Sequence, residues 1–396
     1  MMTNDSRNSI LESLARLLAE HKADIVAANK LDVKACPPGD EVIRDRLKVS
    51  EEKVDAMIAS VRSVMDAPDT VGRIISSYVR EDGLRIENRQ VPFGTILIIY
   101  EARPDVSIEA AIIALKAGNK ILLKGGKEAR NTNLYLAKLW RQALTENNAD
   151  LATVQYLDIS REETQSLIRG EFEKFDLVIP RGGEALINFV LRNSSAPVIV
   201  SGRGNNFLYI DCAADFEMAI RIAVDGKQRL SVCNALDKIL INVELPDLEV
   251  KTLQLIAALR EQNIEIIGDE ELVEMDPTVT QIPDEDIWYE EFLSAKVVIG
   301  IVDSSAEAIE TINEYSGGHS AAIVTANSAT ANQFLNEVDC AVVYQNASTR
   351  FTDGGQLGLG AEIAISTQKL HFRGPLGAEH LLTNKWFVYG DGQVRV

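Results

Sequence analysis

The amino-acid sequence predicts an α/β protein with two doubly wound domains and a separate β-hairpin. Three observations support this prediction. Short apolar runs alternate with segments of helical periodicity in two blocks of the chain, one ending at Val200 and one beginning after Cys233. Continuous apolar runs of this kind are typical of parallel strands that helices cover on both faces. Ahead of the first block, residues 73–90 form two alternating runs around Asp82-Gly83, a pattern that indicates a hairpin.

The first block follows a helical segment at residues 1–70, in which Ile10, Leu14, Leu17 and Leu18 recur at helical spacing. The block itself starts with the strand-like "TILIIY", the helix-like "VSIEAAIIALKAG" and the strand-like "KILLK", which together predict a β-α-β unit. The same alternation returns in "FDLVIP", "GEALINFVLRN" and "APVIV". A parallel sheet is therefore predicted here.

The second block begins with "KILINV" and continues through "IEIIG", "AKVVIGIV", "SAAIVT" and "CAVVY", with helix-like segments at 247–262 and 306–315. These runs predict a second parallel sheet. The chain ends in a strand-like segment that holds Trp386, Phe387 and Tyr389. Such a strand needs a sheet edge, which the early hairpin or another subunit would supply.

Composition limits the class of protein. The chain has 396 residues, 46% of them hydrophobic and 25% charged, as in ordinary soluble proteins. Its formal net charge of −19 argues against binding to nucleic acids or to anionic membranes. No signal peptide and no run of roughly 20 apolar residues is present, so we expect a cytoplasmic protein. The cysteine and histidine spacing fits neither disulfides nor a metal site; the cysteines are Cys36, Cys212, Cys233 and Cys340.

Two glycine-containing turns follow strand-like runs and open helix-like ones. These turns, "KGGKEARN" and "PRGGEAL", contain the sets Lys124, Gly125, Gly126, Lys127 and Arg181, Gly182, Gly183. Glycines let a backbone approach a ligand closely, and a helix start offers N–H groups to a phosphate. Neither turn matches the dinucleotide fingerprint, and tight packing turns explain both equally well.

Cys233 lies at a junction between a helix-like and a strand-like run, four residues after Arg229. A cationic neighbour lowers the pKa of a thiol, although a structural cysteine is the commoner case for these residues alone. Arg103, Arg229 and Arg350 lie in loops and could bind carboxylate or phosphate oxygens. Surface salt bridges are the competing explanation for each arginine.

Six phrases, taken together, resemble the gamma-glutamyl phosphate reductases, the proline-biosynthesis branch of the aldehyde dehydrogenase superfamily. They occur in the family's order over nearly the whole chain: "VPFGTILIIYEARPDVSIEAA", "LKGGKEA", "PRGGEALI", "SVCNALDKILIN", "NASTRFTDGGQLGLGAEIAISTQKLHFRGPLG" and "GDGQVR". The resemblance implies an aldehyde dehydrogenase-like fold with a β-hairpin oligomerisation element. It implies an NADP-binding domain at 1–225 with the hairpin at about 72–93, a catalytic domain at 226–360, and a return segment at 361–396 that ends in an oligomerisation strand.

The resemblance also implies the reaction. It is the NADPH-dependent reduction of L-glutamyl 5-phosphate to L-glutamate 5-semialdehyde and phosphate, with Cys233 as the nucleophile that forms a thioester. Asn234 belongs to the same catalytic set, and Arg103, Arg229 and Arg350 to the substrate site. The backbone N–H of Cys233 is the expected oxyanion donor. A second donor, sought near Ala102, is not identified from the sequence.

The coenzyme residues come from the same resemblance. Lys124 matches the lysine that contacts the adenosine ribose, and Glu291 matches the glutamate that contacts the nicotinamide ribose. Lys127 stands where NAD-preferring members carry a glutamate, and a cation there favours the 2′-phosphate of NADP. The two glycine turns complete the predicted coenzyme site. The expected partners are the small-molecule substrate, glutamate 5-kinase as a candidate, and further copies of this chain.

Some positions depart from the family pattern: Asn206, Phe207, Leu230 and Ala321. Val200 stands near the position at which hydrolytic members carry a water-activating glutamate, and valine cannot act as a base. Two alternatives remain at this point. One is a hydrolytic aldehyde dehydrogenase, against which Val200 argues; the other is a non-catalytic nucleotide-binding protein whose site has decayed, against which the retention of Cys233 argues.

Overall fold

The computed structural model describes residues 2–37 and 39–395, and the chain divides into two compact units. One unit comprises Met1–Val200, Gly358–Ala364 and Leu376–Val396, and the other comprises Ser201–Leu357 and Ile365–Pro375. The boundary lies at Val200 rather than at the predicted residue 225, because the strand that follows it pairs within the second unit's sheet.

In its described residues, the first unit combines eight α-helices with a four-stranded parallel sheet of order β5-β4-β3-β6. Its helices are α1 (Asn4–Glu20), α2 (Lys22–Ala35), α3 (Glu41–Leu47), α4 (Glu51–Asp66), α5 (Val106–Lys116), α6 (Arg130–Glu146), α7 (Arg161–Ile168) and α8 (Glu184–Asn193). Its first strands are β1 (Ile74–Val79), β2 (Arg85–Pro92), β3 (Thr95–Tyr100), β4 (Lys120–Gly125), β5 (Val154–Tyr156) and β6 (Leu177–Arg181). The chain moves from β3 to β4 and β5 on one side, and β6 then pairs on the other side of β3. Ligands commonly bind outside the carboxyl ends of the strands at such a reversal.

The periodicity predicted for the N-terminal segment is confirmed, since Ile10, Leu14, Leu17 and Leu18 are all buried on one face of α1. The predicted strand "APVIV" is wrong. Val198 makes only an isolated bridge to Val178, and Pro197 in this segment has no N–H with which to extend a ladder.

The hairpin and the C-terminal strand form a separate three-stranded antiparallel sheet. The C-terminal strand Leu382–Tyr389, here β16, pairs with the whole of β2, from Leu382 opposite Pro92 to Tyr389 opposite Arg85. This confirms that the early hairpin supplies the edge that the terminal strand needs. The other edge, β1, exposes every one of its six residues.

The second unit is built on a seven-stranded parallel sheet of order β10-β9-β11-β8-β7-β12-β13. Its strands are β7 (Asn206–Ile210), β8 (Leu236–Asn242), β9 (Glu265–Gly268), β10 (Thr280–Gln281), β11 (Lys296–Val302), β12 (Ser320–Val324) and β13 (Val342–Gln345), with a small antiparallel pair, β14 (Ile365–Ser366) and β15 (Gly374–Pro375). Its helices are α9 (Phe216–Gly226), α10 (Leu248–Glu261), α11 (Glu270–Met275), α12 (Ser305–Tyr315) and α13 (Ser328–Glu337). The prediction of two parallel sheets is therefore confirmed.

Three neighbouring strands of this sheet, β8, β7 and β12, begin at the same edge. The register pairs Asn206 with Leu236 and Phe207 with Ala321, so the loops that lead into these strands converge. Cys233 lies in one of these loops, three residues before β8. The predicted nucleophile is thus at the amino-terminal edge of a sheet whose central strands are completely buried.

The start of α6, just after the "KGGKEARN" turn, is held by a carboxylate from another helix. Ala129 at its N-cap makes no side-chain hydrogen bond, and Asp32 of α2 takes that role. Asp32 accepts from the backbone N–H groups of Asn131 and Thr132 at 3.1 and 2.8 Å, and from their side chains at 2.8 and 2.6 Å. One buried carboxylate therefore fixes the helix that follows the turn.

Replacing Asp32 by alanine should lower the free energy of unfolding by about 3 kcal/mol, because it leaves four donors without their charged acceptor. Chemical denaturation measures this. Asp24→Ala is the matched control on the same helix; its carboxylate is largely exposed and its removal should cost less than about 1 kcal/mol. Equal losses for the two variants would contradict the role given to Asp32.

Candidate active site

Cys233 occupies a tight turn that packs closely against a neighbouring loop. The N–H of Ala235 donates to the carbonyl of Val232 at 3.2 Å, which makes Cys233 the first central residue of a β-turn. The backbone of Gly204 lies directly against this turn. A Cβ atom at Gly204 would overlap the carbonyl group of Cys233. Glycine is needed there for the close approach of the two backbones.

Asn206, at the start of β7, ties the turn to the sheet. Its side-chain Nδ2 donates to the carbonyl oxygens of Cys233, Ala235 and Gly204 at 2.7, 2.6 and 2.8 Å. Three carbonyls around Nδ2 set the orientation of the amide, so Oδ1 faces His319. The Nδ1 atom of His319 lies 2.9 Å from this Oδ1 and must donate the proton of that bond. Asn206, a departure from the family pattern, thus has a positioning role.

Asn234 connects the same turn to the loop that carries Arg350. Its Nδ2 donates to the carbonyls of Arg350 and Thr352 at 3.1 and 3.0 Å, and its Oδ1 accepts from the Arg350 guanidinium. Thr349 in turn donates its hydroxyl to the carbonyl of Asn234 at 3.0 Å. Asn234 is buried, and its geometry is that of a residue that positions Arg350.

Arg350 lies near Cys233, since its guanidinium binds Asn234, the next residue. Arg350 is half-buried, and burial lowers its pKa; the charge of Arg229 also lowers it, whereas the charges of Asp225, Asp353 and Cys233 raise it. Arg229 and Cys233 each lie within electrostatic range of Arg350. Burial raises the pKa of Cys340 to about 11 and also raises that of Cys212. Those two cysteines are therefore unsuited to act as thiolates at neutral pH.

Arg103 belongs to the first unit, in the loop between β3 and α5. Burial alone would raise the pKa of Asp105, but the charges of Lys53, Arg103 and Arg181 hold it below its ordinary value. Four residues further on, burial and the charge of Asp105 raise the pKa of Glu109 to about 8. Arg103 thus lies in a mixed-charge cluster at the start of α5.

The "KGGK" turn lies at the carboxyl end of β4, next to the reversal of strand order. Lys124 is half-buried, burial lowers its pKa, and its Nζ donates to the carbonyl of Gly125 at 2.7 Å. A Cβ at Gly125 would overlap Asn133, and one at Gly126 would overlap the carboxylate of Glu128. Lys127 is exposed at the start of a short 3₁₀ turn.

The second glycine turn lies at the carboxyl end of β6, on the other side of β3. Gly183 caps α8, and its N–H donates to the carboxylate of Glu101 at 2.9 Å. A Cβ at Gly182 would overlap that same carboxylate. The guanidinium of Arg181 donates to the carbonyl of Ile363 at 2.5 Å, a contact within the first unit. The start of α8 is therefore bonded to the carboxylate of Glu101, and Arg181 is bonded to the backbone of the segment at residues 358–364.

The donor sought near Ala102 is not the N–H of that residue. Ala102 donates its N–H to Oε1 of Glu128 at 2.9 Å, and its backbone has a φ of 45°. The carboxylate that crowds Gly126 is thus the one that holds the β3–α5 loop.

Glu291 lies in an irregular segment of the second unit whose backbone is hydrogen-bonded to buried side chains. The carbonyl of Glu290 accepts from Nζ of Lys238 at 2.7 Å, and the N–H of Phe292 donates to Asp237 at 2.9 Å. The backbone on each side of Glu291 is therefore fixed by consecutive residues of β8.

Sequence patterns do not reveal the roles of several of these residues. For Lys238 and Asp237, the signal in the sequence is a charged pair at the start of an apolar run. Asn206 is visible in the sequence only as a departure from the family pattern, and nothing in the sequence assigns a role to Gly204 or His319. Their roles depend on contacts between loops far apart in sequence, which periodicity does not report.

Neither a metal site nor a membrane-spanning helix is found in the part of the chain that the structure describes. Residues 2–37 and 39–395 contain no group of three or more side chains arranged to hold a metal ion. Their helices are all too short or too polar to cross a bilayer.

Comparison with known proteins identifies the family. The model of the aldehyde dehydrogenase family matches residues 1–263 and 267–360. The chain belongs to the aldehyde dehydrogenase family. Among curated family members, gamma-glutamyl phosphate reductase from Thermotoga maritima is 41% identical over 99% of this chain and 95% of its own length. The enzyme of the same name from Clostridium beijerinckii is 41% identical over 98% and 94%.

Solved structures of aldehyde dehydrogenases have the same fold as this chain. The crystal structure of the Thermotoga maritima gamma-glutamyl phosphate reductase is 40% identical, covers 100% of this chain and 95% of its own, and superimposes with a TM-score of 0.91. An acetylating aldehyde dehydrogenase from Geobacillus thermoglucosidasius, at 18% identity over 100% of this chain and 94% of its own, shows the shared fold with a TM-score of 0.73. The predicted aldehyde dehydrogenase-like fold and the resemblance to gamma-glutamyl phosphate reductases are thereby confirmed. The assignment of individual site residues stays a prediction.

Adding a methyl group at Gly204 tests whether the close approach of its backbone positions the Cys233 turn. Gly204→Ala should reduce turnover by at least tenfold, because the new Cβ displaces the Cys233 turn, and a misplacement of about 1 Å can cost about a hundredfold in rate. The measurement is kcat, with coenzyme affinity as the control, which should stay unchanged. A variant with normal kcat would show that the backbone approach does not position Cys233.

Proposed function

We propose that this chain catalyses the NADPH-dependent reduction of L-glutamyl 5-phosphate to L-glutamate 5-semialdehyde and phosphate, the second step of proline biosynthesis from glutamate. The observation that carries the proposal is the 41% identity, over nearly the whole chain, to enzymes named gamma-glutamyl phosphate reductase. The turn that holds Cys233 next to Arg350 supports it.

Cys233 would supply the nucleophile. Its thiolate attacks the acyl carbon of the acyl phosphate, the bond from that carbon to the phosphate oxygen breaks, and phosphate leaves. The Cys233 N–H would donate to the oxygen that becomes negative during attack. Asn206 and Gly204 keep the turn in place, so attack requires little rearrangement of the backbone.

Arg229 and Arg350 would serve the anionic groups of this step. Positive charge close to a thiol favours its thiolate form, and guanidinium groups bind phosphate oxygens through paired hydrogen bonds. Because Asn234 binds both the guanidinium and the carbonyl of Arg350, it restricts this side chain. The chain is strongly acidic overall, so a local pair of arginines would concentrate an anionic substrate at this edge of the sheet.

The residues of the first unit fit a dinucleotide. The N–H of Gly183, which donates to the carboxylate of Glu101, would exchange that partner for a phosphate oxygen, and Lys124 and Lys127 supply positive charge at the neighbouring turn. NADPH, when bound, supplies the hydride that converts the thioester to the aldehyde level. Lys124, Lys127 and the two glycine turns would hold its adenosine and phosphate groups, and Glu291 would hold the nicotinamide ribose. Collapse of the resulting thiohemiacetal breaks the carbon–sulfur bond and returns the thiolate to Cys233.

Three further properties follow from this proposal. The exposed edge β1, with Ile74, Ile75, Tyr78 and Val79 exposed, would pair with a second copy of the chain. The enzyme would act in the cytoplasm, where thiols stay reduced. Glutamate 5-kinase would supply its acyl phosphate.

The acceptor of the thioester distinguishes this function from that of a hydrolytic dehydrogenase. Val200 offers no base to activate water, so in the reverse reaction phosphate must accept the acyl group. With glutamate 5-semialdehyde and NADP⁺ in phosphate-free buffer, we expect one burst of NADPH per active site and then arrest, with turnover restored by phosphate or arsenate.

Cys233→Ala is the control for this experiment and should give no burst, while Cys212→Ala should behave like the unmodified protein. Continuous oxidation without phosphate would favour the hydrolytic dehydrogenase. A burst that survives in Cys233→Ala would remove the nucleophile from the proposal.

Lys127 provides the test of coenzyme choice. Lys127→Glu should weaken NADPH use far more than NADH use, since a charge-assisted contact with the 2′-phosphate is worth about 1–3 kcal/mol. The measurement is kcat/KM for both coenzymes. Lys120→Glu, at the opposite end of β4, is the matched control and should leave their ratio unchanged. Equal losses with both coenzymes in Lys127→Glu would show that Lys127 does not read the phosphate.

A further inference from the structure

We propose that Lys238 is a positioning residue of the coenzyme site, which acts by fixing the backbone of residues 290–292 and thereby the carboxylate of Glu291. This inference rests on the proposed function, in which Glu291 contacts the nicotinamide ribose. Lys238 itself is fully buried and touches neither substrate nor coenzyme in this account.

The surroundings of Lys238 leave its ammonium group in one position. Its Nζ donates to the carbonyl of Glu290 at 2.7 Å and to Oδ1 of Asn205 at 2.9 Å. It also lies 4.0 Å from the ring centroid of Phe292, in cation–π contact. The lysine therefore contacts the residues on both sides of Glu291, one through its backbone and one through its ring.

Asp237 holds the same segment from the adjacent position. Its Oδ2 accepts from the N–H of Phe292 at 2.9 Å, and its Oδ1 accepts from Nζ of Lys227 at 2.9 Å. The Lys227 and Asp237 side chains are 1% and 2% exposed, so this is a buried ion pair. Breaking such a pair is costly, which keeps the carboxylate in place for Phe292.

Asn205 extends the support to the residues before Glu290. Its Nδ2 donates to the carbonyls of Trp288 and Tyr315 at 2.6 and 2.7 Å, while its Oδ1 accepts from Lys238. The backbone of residues 288–292 is thus bonded to three buried side chains: Asn205, Asp237 and Lys238. We call these three residues, two in β8 and one immediately before β7, the β8 clamp.

Stability alone does not explain a lysine at this position. Burying an ammonium group carries a desolvation cost, and an apolar residue of similar volume is often as stabilising or more so. Burial accordingly lowers the pKa of Lys238 to about 8. Residues 290–294 are irregular, with Leu293 at a φ of 47°, so no strand ladder fixes them. The polar contacts of the β8 clamp provide that order instead.

The rate of the NADPH burst in phosphate-free buffer tests the inference, because its rate constant reports hydride transfer and its amplitude counts working thiols. Lys238→Met should lower the rate constant at least tenfold while the amplitude per site stays near that of the unmodified protein. Lys238→Arg, which keeps the charge and donors, should stay within about threefold. A merely structural role would lower the amplitude through loss of folded protein and leave the rate constant of the remaining sites unchanged, which would overturn the inference.

Two comparisons connect Lys238 to Glu291. Glu291→Gln should slow the burst, and Lys238→Met combined with Glu291→Gln should be no slower than Glu291→Gln alone, since both changes remove the same contact. Losses that multiply would overturn the inference. Lys296→Met, in the neighbouring strand β11 and exposed, is the matched control and should leave the burst unchanged.

Hydrogen exchange provides a readout that does not depend on the proposed function. In Lys238→Met the amides of residues 289–293 should exchange at least tenfold faster than in the unmodified protein and in Lys296→Met. Phe292→Leu, which removes only the ring contact, should give a smaller acceleration and serves if Lys238→Met does not fold. Unchanged exchange in the variants that fold would overturn the inference. Absence of any burst in the unmodified protein would instead count against the proposed function.

Discussion

The side-chain amide of Asn206 is the interaction on which the candidate active site depends. Its nitrogen donates to the carbonyls of Cys233, Ala235 and Gly204, and so joins two residues of the turn to the adjacent loop. Asn206 is itself the first residue of a strand with no exposed side chain. A half-buried cysteine in a short turn is in this way held as firmly as the sheet, and His319 fixes the orientation of the amide.

The same edge of the sheet explains why the other functional side chains lie where they do. Parallel strands begin together at one edge, and the loops that precede β7, β8 and β12 bring Gly204, Cys233 and His319 into one neighbourhood. Other buried polar side chains fix further segments of this region. Asn234 restrains Arg350, and the β8 clamp fixes the backbone around Glu291. In a protein of net charge −19, the contacts of Asn234 keep one guanidinium, that of Arg350, close to the turn that contains Cys233.

The sequence predicted the parts of this structure that follow from local pattern. Apolar runs located both parallel sheets, and helical spacing located the buried face of α1, because a buried face imposes its period directly on the residues. The apolar runs of the first block end at Val200, whereas the resemblance implies a boundary at 225; the unit boundary lies at Val200 because β7 pairs with β8 and β12, which no local pattern records. The strand predicted at "APVIV" failed because its apolar content is that of a strand while Pro197 cannot donate to a ladder.

The candidate site was harder to predict than the fold. For Cys233 a structural cysteine is the commoner case on the residues alone, and only the resemblance of several phrases to a family predicts a nucleophile there. The roles of Asn206 and Lys238 could not be predicted, because each depends on hydrogen bonds to backbone carbonyls that are distant in the sequence.

Direct trapping of the acyl group tests the central claim that Cys233 carries the chemistry. After reaction with glutamate 5-semialdehyde and NADP⁺ in phosphate-free buffer and an acid quench, intact mass and peptide mapping should show one glutamyl acyl group on Cys233, lost when phosphate is added before the quench. An acyl group on another residue, or none while NADPH accumulates, would contradict the account.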